Sequence, residues 1–383
     1  MVNQQHGENR WVRAVIPALL IHISIGTVYC WSVFKQLIAD QMHVAPGIVE
    51  WGFSLAIFFL GMSAAFLGPF VEKDIKKSAL ISTVCFVCGF AGTGVSIAAG
   101  WLPGVFIFYG VIMGIGLGVG YLTPVKNLML WFADNKGLAT GIAVAGFGLA
   151  KAIASPVMQW LISTVGLAPM FYILAAVYAV MMLLGFALIK RPAGYVYSAE
   201  TRIRRRDIMK KPVFWAIWLA FYLNITCGLA LISQEKDILH DALSTLPKYA
   251  SLNAAQLATA IAVCALQIFT HSIDNGTLWL IVTMLFLVNA GYGGGFSTLP
   301  VLLEQHFGMK SVSTVHGLAL SAWAFAGLSG NQLASFVVSH TADAAHRYSA
   351  LIPIITVLYA VALASIIAVV LGTKGRRAAA QSN

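Results

Sequence analysis

The chain has 383 residues, of which 59% are hydrophobic and 10% charged, and its formal net charge is +10. A mean hydropathy of +0.82 and a charge content far under the ~25% of soluble domains exclude that class and point to an all-α integral membrane protein. Its long apolar runs lack strict alternation, which excludes an outer-membrane barrel. The excess positive charge gathers in short loops beside helix ends, where it orients the chain rather than binding nucleic acid.

The first apolar run, Val12–Phe34, is too long for a signal-peptide core, and no small-x-small cleavage site follows it, so it is expected to remain as the first span. A crossing needs ~20 apolar residues. On that rule the first half holds six spans, over 12–35, 48–70, 78–99, 104–130, 137–163 and 168–190. Basic residues mark 1–13, Val71–Lys77, Trp131–Lys136 and Lys190–Lys211. The alternate connections Gly100–Pro103 and Gly166–Leu167 carry none, and the first of that set has only Lys35. The positive-inside rule therefore puts the N-terminus in the cytoplasm, in a multi-pass protein of the cell inner (plasma) membrane.

Lys190–Lys211 is the one real linker. It carries Lys190, Arg191, Arg202, Arg204, Arg205, Arg206, Lys210 and Lys211 against Glu200 and Asp207. It reads as a solvated, orientation-fixing segment, with an anionic-lipid site as the alternative. Pro212–Gln234, Leu278–Leu303, Val312–Val338 and Ala350–Gly372 are spans of the second half. Between them, Glu235–Leu252 is polar and Asn253–Thr270 only moderately apolar. Hydropathy counts the latter as a crossing, for eleven spans. The charge rule favours ten, with Lys310 and the tail Lys374, Arg376 and Arg377 inside. We take 253–270 as non-crossing or re-entrant. The expected division is a six-helix lobe over 1–190, a basic linker over 191–211, a shortened lobe over 212–375 and a tail over 376–383.

The stretch Gly114–Pro156 reads as two glycine-rich apolar helices joined by a polar turn. Gly114, Gly116, Gly118 and Gly120 fall twice at i, i+4 on an apolar helix with no preceding strand. That is a helix-packing pattern rather than a phosphate loop. Gly141, Gly146 and Gly148 are expected to repeat it. Charges inside spans are costly and point to function. Lys151 lies 14 residues into the fifth span, ~20 Å deep, and is expected to be a substrate-binding cation. Lys126 lies five residues from the end of its span and is expected to snorkel to the cytoplasm. His22, near the midplane, reads either as packing or as a proton or substrate group. Glu72, Asp74 and Lys77, in a turn crowded with both signs of charge, read either as a gate latch or as plain topology signals. Asn224 and Gln332 are expected to bond between helices. Cys30, Cys85, Cys88, Cys227 and Cys264 all sit in apolar runs, and Cys85-Phe-Val-Cys88 has no second half, so inert thiols are expected. No metal-ligand cluster, nucleotide loop or cofactor motif is present, and no acid or Ser/His cluster supports a membrane enzyme.

The motifs Gly26-Thr-Val-Tyr-Cys-Trp-Ser-Val-Phe34, Gly120-Tyr-Leu-Thr-Pro124, Trp131-Phe132 and Lys136-Gly-Leu-Ala-Thr-Gly-Ile-Ala-Val-Ala-Gly-Phe-Gly148 resemble the oxalate/formate antiporter group of the major facilitator superfamily. Gly68-Pro-Phe-Val-Glu-Lys-Asp-Ile-Lys-Lys77 looks like a degenerate copy of that superfamily's loop between spans two and three. The likeness is specific over 10–190 and resumes more weakly over Gly291–Gly308 and Gly317–Gly330. It implies a two-lobed helix bundle with an aromatic cage, for which Tyr29, Trp31, Tyr121, Tyr292 and Trp323 are the residues present. The family has twelve spans; here Ala254–Val263 runs straight into Cys264–Thr270, so about one hairpin is missing, and with it the arginine that dicarboxylate members use. Alanine stands where such members carry a lysine in the eleventh span. The expectation is a secondary active transporter of a small organic anion, a monocarboxylate such as formate, lactate or pyruvate, by antiport or proton symport. It would be monomeric, with membrane lipid and substrate as its partners. The rival is a non-transporting sensor or transporter remnant.

Overall fold

The computed structural model describes residues 9–195, 204–232, 276–308, 312–341 and 351–381. Among these, six long helices form the first half: α1 (Trp11–Met42), α2 (Pro46–Lys73), α3 (Ile75–Ala98), α4 (Leu102–Trp131), α5 (Lys136–Val165) and α6 (Leu167–Leu188). A short α7 (Arg205–Met209) leads into α8 (Pro212–Ile232), followed by α9 (Gly276–Phe307), α10 (Val312–His340) and α11 (Leu351–Gln381). Helices α1–α6 and α8 are each long and apolar enough to cross a membrane. The stretch 253–270, on which the number of crossings turns, lies outside the described residues.

The helix ends follow local chemistry. Pro46 opens α2 and Pro103 sits in the first turn of α4, where a missing N–H costs nothing. Asp74 caps α3 by accepting from Lys77 N at 3.0 Å, and Asn135 caps α5 by accepting from Leu138 N at 3.1 Å. Gly100 and Gly166 turn the chain with φ of +64° and +93°. Connections this short make successive helices antiparallel. The end of the bundle bearing Arg13, residues 72–77 and 131–136, and the linker is here called the basic end. Its basic side chains cap helix carbonyls: Lys76 Nζ donates to Phe186 O and Ala187 O at 2.9 Å each, Arg191 to Val71 O at 2.7 Å and Arg205 to Phe66 O at 3.0 Å.

Helix α4 is wedged between α2 and α3, and its glycines make that approach. A methyl on Gly118 would stand 2.1 Å from Leu60 O, and one on Gly114 2.8 Å from Ala56 O, both on α2. One on Gly116 would stand 2.7 Å from Phe86 N, and one on Gly120 2.3 Å from Ser82 Oγ, both on α3. The interleaved i, i+4 pattern thus serves two partners on two faces. The expected repeat in α5 is corrected: among the described residues nothing comes within 4 Å of a methyl on Gly141 or Gly148, and only Gly146 meets a neighbour, at 3.1 Å from Leu19.

In the second half α8 packs on α10, α11 and α9. Helix α10 lies along α2, and α9 meets α5. Helix α9 returns to the basic end, where Glu304 pairs with Lys136. Helix α11 starts at the far end, where Cys227 Sγ donates to Ile355 O at 3.7 Å, and runs back towards the basic end. Large apolar side chains such as Phe66, Trp160, Val180 and Val357 remain exposed around the outside, as a lipid-facing surface requires. Replacing Gly118 by Val is expected to lower Tm by several degrees or prevent folding, since overpacking costs ~1–3 kcal/mol or more. Gly148→Ala should leave Tm unchanged. Thermal unfolding of the detergent-solubilised variants checks both.

Candidate functional site

Helix α1 is not uniformly α-helical. It tightens to a 3-10 turn over Gly26–Cys30, where Gly26 lies so close to α5 that a methyl there would stand 2.3 Å from Phe147 O. Tyr29, inside this turn, points across the bundle axis. Its hydroxyl bonds that of Tyr292 on α9 at 2.5 Å, and its ring meets Phe147 edge-on at 5.3 Å. From there a continuous aromatic cluster spans both halves. Tyr121 on α4 meets Phe147 at 5.7 Å, Phe296 at 6.0 Å and Trp323 at 5.4 Å. Phe296 and Trp323 lie 4.3 Å apart. Tyr29, Tyr121, Phe147, Tyr292, Phe296 and Trp323 are all buried. The structure therefore brings together four of the five aromatics picked out in the sequence.

Trp31 is the exception. Lying past the 3-10 turn, it faces away from the cluster into the first half. It packs on Phe34, Phe53 and Tyr109 and donates from Nε1 to Glu50 Oε2 at 3.0 Å. Glu50 also accepts from Lys35 Nζ at 2.9 Å, with both side chains buried. Lys35 is thus an interior residue rather than a loop charge. This group is tied to α10 by Asn331, which donates to Glu50 O at 3.1 Å and Ser54 Oγ at 2.8 Å, and by Gln332, which donates to Ser54 Oγ at 3.0 Å.

Towards the basic end the expectation for Lys126 is corrected. It does not reach water. It is 7% exposed and pairs at 3.5 Å with Glu72, itself 4% exposed. The pair lies beside a small cavity lined by Gly68, Val71, Leu122, Val125, Lys126, Met129 and His316. His316, on α10, stands 6.2 Å ring to ring from Tyr121, and its Nε2 has no hydrogen-bond partner among the described residues. Asp74 and Lys77, by contrast, pair with each other at 3.6 Å within the first turn of α3. His22 is fully buried and stacks on Tyr121 at 5.7 Å. Its Nδ1 lies 2.9 Å from Ala143 O and its Nε2 3.3 Å from Tyr121 O, so it ties α1 to α5 and α4. Lys151 is half-buried one turn beyond Phe147 on α5, within electrostatic range of Cys30, whose Sγ accepts from Ser155 Oγ at 3.4 Å. Asn224 donates to Gly291 O at 3.5 Å.

Phe147, Phe296, His316 and the Lys35–Glu50 pair are absent from the sequence reading. A histidine five residues into an apolar span is a signal that would have pointed to His316. The others become visible only through partners distant in the chain.

Residues 18–266 match the profile described as Major Facilitator Superfamily. The chain belongs to that superfamily. It is 23% identical over 350 residues to the uncharacterized MFS-type transporter YhjX of Escherichia coli, covering 83% of this chain and 86% of that one. To the oxalate:formate antiporter of Oxalobacter formigenes it is 24% identical over 254 residues, 61% of this chain and 58% of that protein. To the apicoplast pyruvate carrier 1 of Toxoplasma gondii it is 24% identical over 271 residues, 58% and 46% of the two lengths. The chain thus spans most of the first relative and about half of the other two. In fold it is similar to the human organic anion transporter MFSD10, with a TM-score of 0.60, 12% identity and coverage of 93% and 99% of the two chains. A bacterial homologue of the lysosomal transporter Spinster, inward-facing and unoccupied, gives 0.55, 16%, 93% and 93%. Membership makes the chain a multi-pass membrane transporter of the major facilitator type, and the buried aromatic cluster is the place to look for its substrate.

Removing one partner of a buried ion pair leaves a bare charge, at a cost of ~3–5 kcal/mol. Glu50→Ala should therefore lower Tm sharply, and the double variant Lys35→Met/Glu50→Leu should recover most of the loss in the same thermal-shift measurement.

Proposed function

We propose that this superfamily member is a secondary active transporter of a small monocarboxylate, of the size of formate, lactate or pyruvate, working by alternating access with its basic end in the cytoplasm. The observation that carries this reading is the buried cluster of Tyr29, Tyr121, Tyr292 and Trp323, which puts phenol and indole donors from both halves around one point. Such groups donate to a carboxylate without carrying charge, while their rings exclude water. The Tyr29–Tyr292 bond is the one a carboxylate would replace on entering.

The counter-charge is Lys151. Lys151 follows Phe147 on the same helix by one turn. One cation matches one carboxylate, which argues against a dicarboxylate. The name of one relative, a pyruvate carrier, accords with this substrate class, and that of another pairs the monocarboxylate formate with the dicarboxylate oxalate. The lobes 1–190 and 212–375, joined by the linker 191–211, rock about the α2–α10 contact in a monomer. At the basic end, Glu72–Lys126 and Lys136–Glu304 part when the gate opens; Asp74 and Lys77 take part only as the cap of α3.

Counterflow of labelled formate, lactate and pyruvate into proteoliposomes tests this directly, and flat uptake of all three and of oxalate overturns it. Lys151→Ala should cut uptake by more than about tenfold while the protein still reaches the membrane. Tyr29→Phe and Tyr292→Phe should each raise KM severalfold, the scale of one hydrogen bond at ~0.5–1.5 kcal/mol.

A further inference from the structure

Counterflow needs only a binding site; accumulation also needs a driving gradient, of an ion or of an exchanged substrate. We propose that His316, beside the Lys126–Glu72 pair, is the proton-binding site that makes this chain a carboxylate/proton symporter. The proposal rests on the carboxylate reading above and adds its coupling ion.

The geometry has four parts. His316 is 3% exposed, and its Nε2 meets no partner among the described residues, so a ring nitrogen is available to take and give up a proton. It lines a cavity shared with Lys126. It stands on α10, in the second half of the chain, while Lys126 and Glu72 stand on α4 and α2, in the first. It also stacks edge-on against Tyr121 at 6.2 Å, which joins this cavity to the aromatic cluster. His22 lies outside that cavity, its two ring nitrogens facing the carbonyls of Ala143 and Tyr121.

The charges around His316 supply the coupling. Helix α4 presents Tyr121 and Lys126, and α2 presents Glu72. Glu304 of α9 is paired with Lys136, and Arg205 of α7 is held at Phe66 O. Helix α8 carries no charged residue, only Tyr222 and Cys227. With His316 neutral, Lys126 and Glu72 offset one another, and Arg191 lies within electrostatic range of both. A proton on His316 puts a second cation into the same enclosed space, and a buried uncompensated charge is strongly disfavoured. A monocarboxylate in the adjoining cage adds a negative charge and so favours that proton. The proton and the anion therefore cross together, one of each, and the step is electroneutral. At one face of the membrane Nε2 takes a proton from water and forms an N–H bond; at the other face that bond breaks and the proton returns to water.

The test uses the full-length protein in proteoliposomes containing a trapped pH dye, with lactate as the probe. In the wild type, adding lactate outside should acidify the lumen. An inward proton gradient of one pH unit should raise lactate accumulation towards about tenfold, the limit for one proton per anion, and an imposed membrane potential should have no effect. In His316→Gln and His316→Asn the ratio of accumulation with and without the gradient should fall to about one. Wild-type-like gradient response in either variant overturns the proposal. Should both variants fail to insert, the wild type decides alone: counterflow without lumen acidification, or uptake driven by potential, overturns the proton site and leaves the carboxylate transporter standing. Absence of counterflow for every carboxylate removes both readings.

Discussion

Two helices from opposite halves of the chain approach until a side chain has no room between them. A methyl on Gly61 of α2 would stand 2.5 Å from Leu320 O of α10, and one on Gly317 of α10 would stand 2.7 Å from Ala64 O. In a bilayer there is no hydrophobic effect to press helices together, so association rests on close packing and polar contacts. The α2–α10 contact has both. Glycines supply the approach, Asn331 and Gln332 bond to Ser54 and Glu50 at one end, and Lys126, Glu72 and His316 gather at the other. The aromatic cluster lies inside that frame, and its enclosure depends on it.

Buried ion pairs are poor sources of stability, because desolvating both charges offsets much of their attraction. Their value here is positional. Lys35–Glu50 holds the indole of Trp31 at one end, and Lys126–Glu72 lines the cavity at the other. Between them the cage is almost entirely neutral.

Much of the first half was legible in the sequence. The hydropathy runs over 48–70 through 168–190 match α2–α6 to within three residues, because a spanning helix must be continuously apolar and its loops are short, whereas α1 runs seven residues past the expected end at 35. The glycine pattern of 114–120 was legible as packing, though not that it serves two partners. The failures share one cause. Lys126 looked able to snorkel because its partner, Glu72, is 54 residues away in sequence. Trp31 looked like its neighbour Tyr29, yet the tightened turn between them sends the two rings to different places. His316 differs, since a histidine five residues into an apolar span is visible locally. A pairing across the bundle leaves no trace in the run of residues around either partner, whereas helix length and lipid contact do.

The tightened turn of α1 also fixes a lever. A 3-10 helix advances ~120° and 2.0 Å per residue, against ~100° and 1.5 Å for an α-helix. Rewinding the five residues Gly26–Cys30 into α form would rotate everything beyond them by about 100° and draw it in by about 2.5 Å. Tyr29 lies within that segment and Trp31 just past it. A change in winding at the cage would therefore turn the tryptophan that grips Glu50, and a local torsion at the middle of the protein would be felt as a twist at its far end.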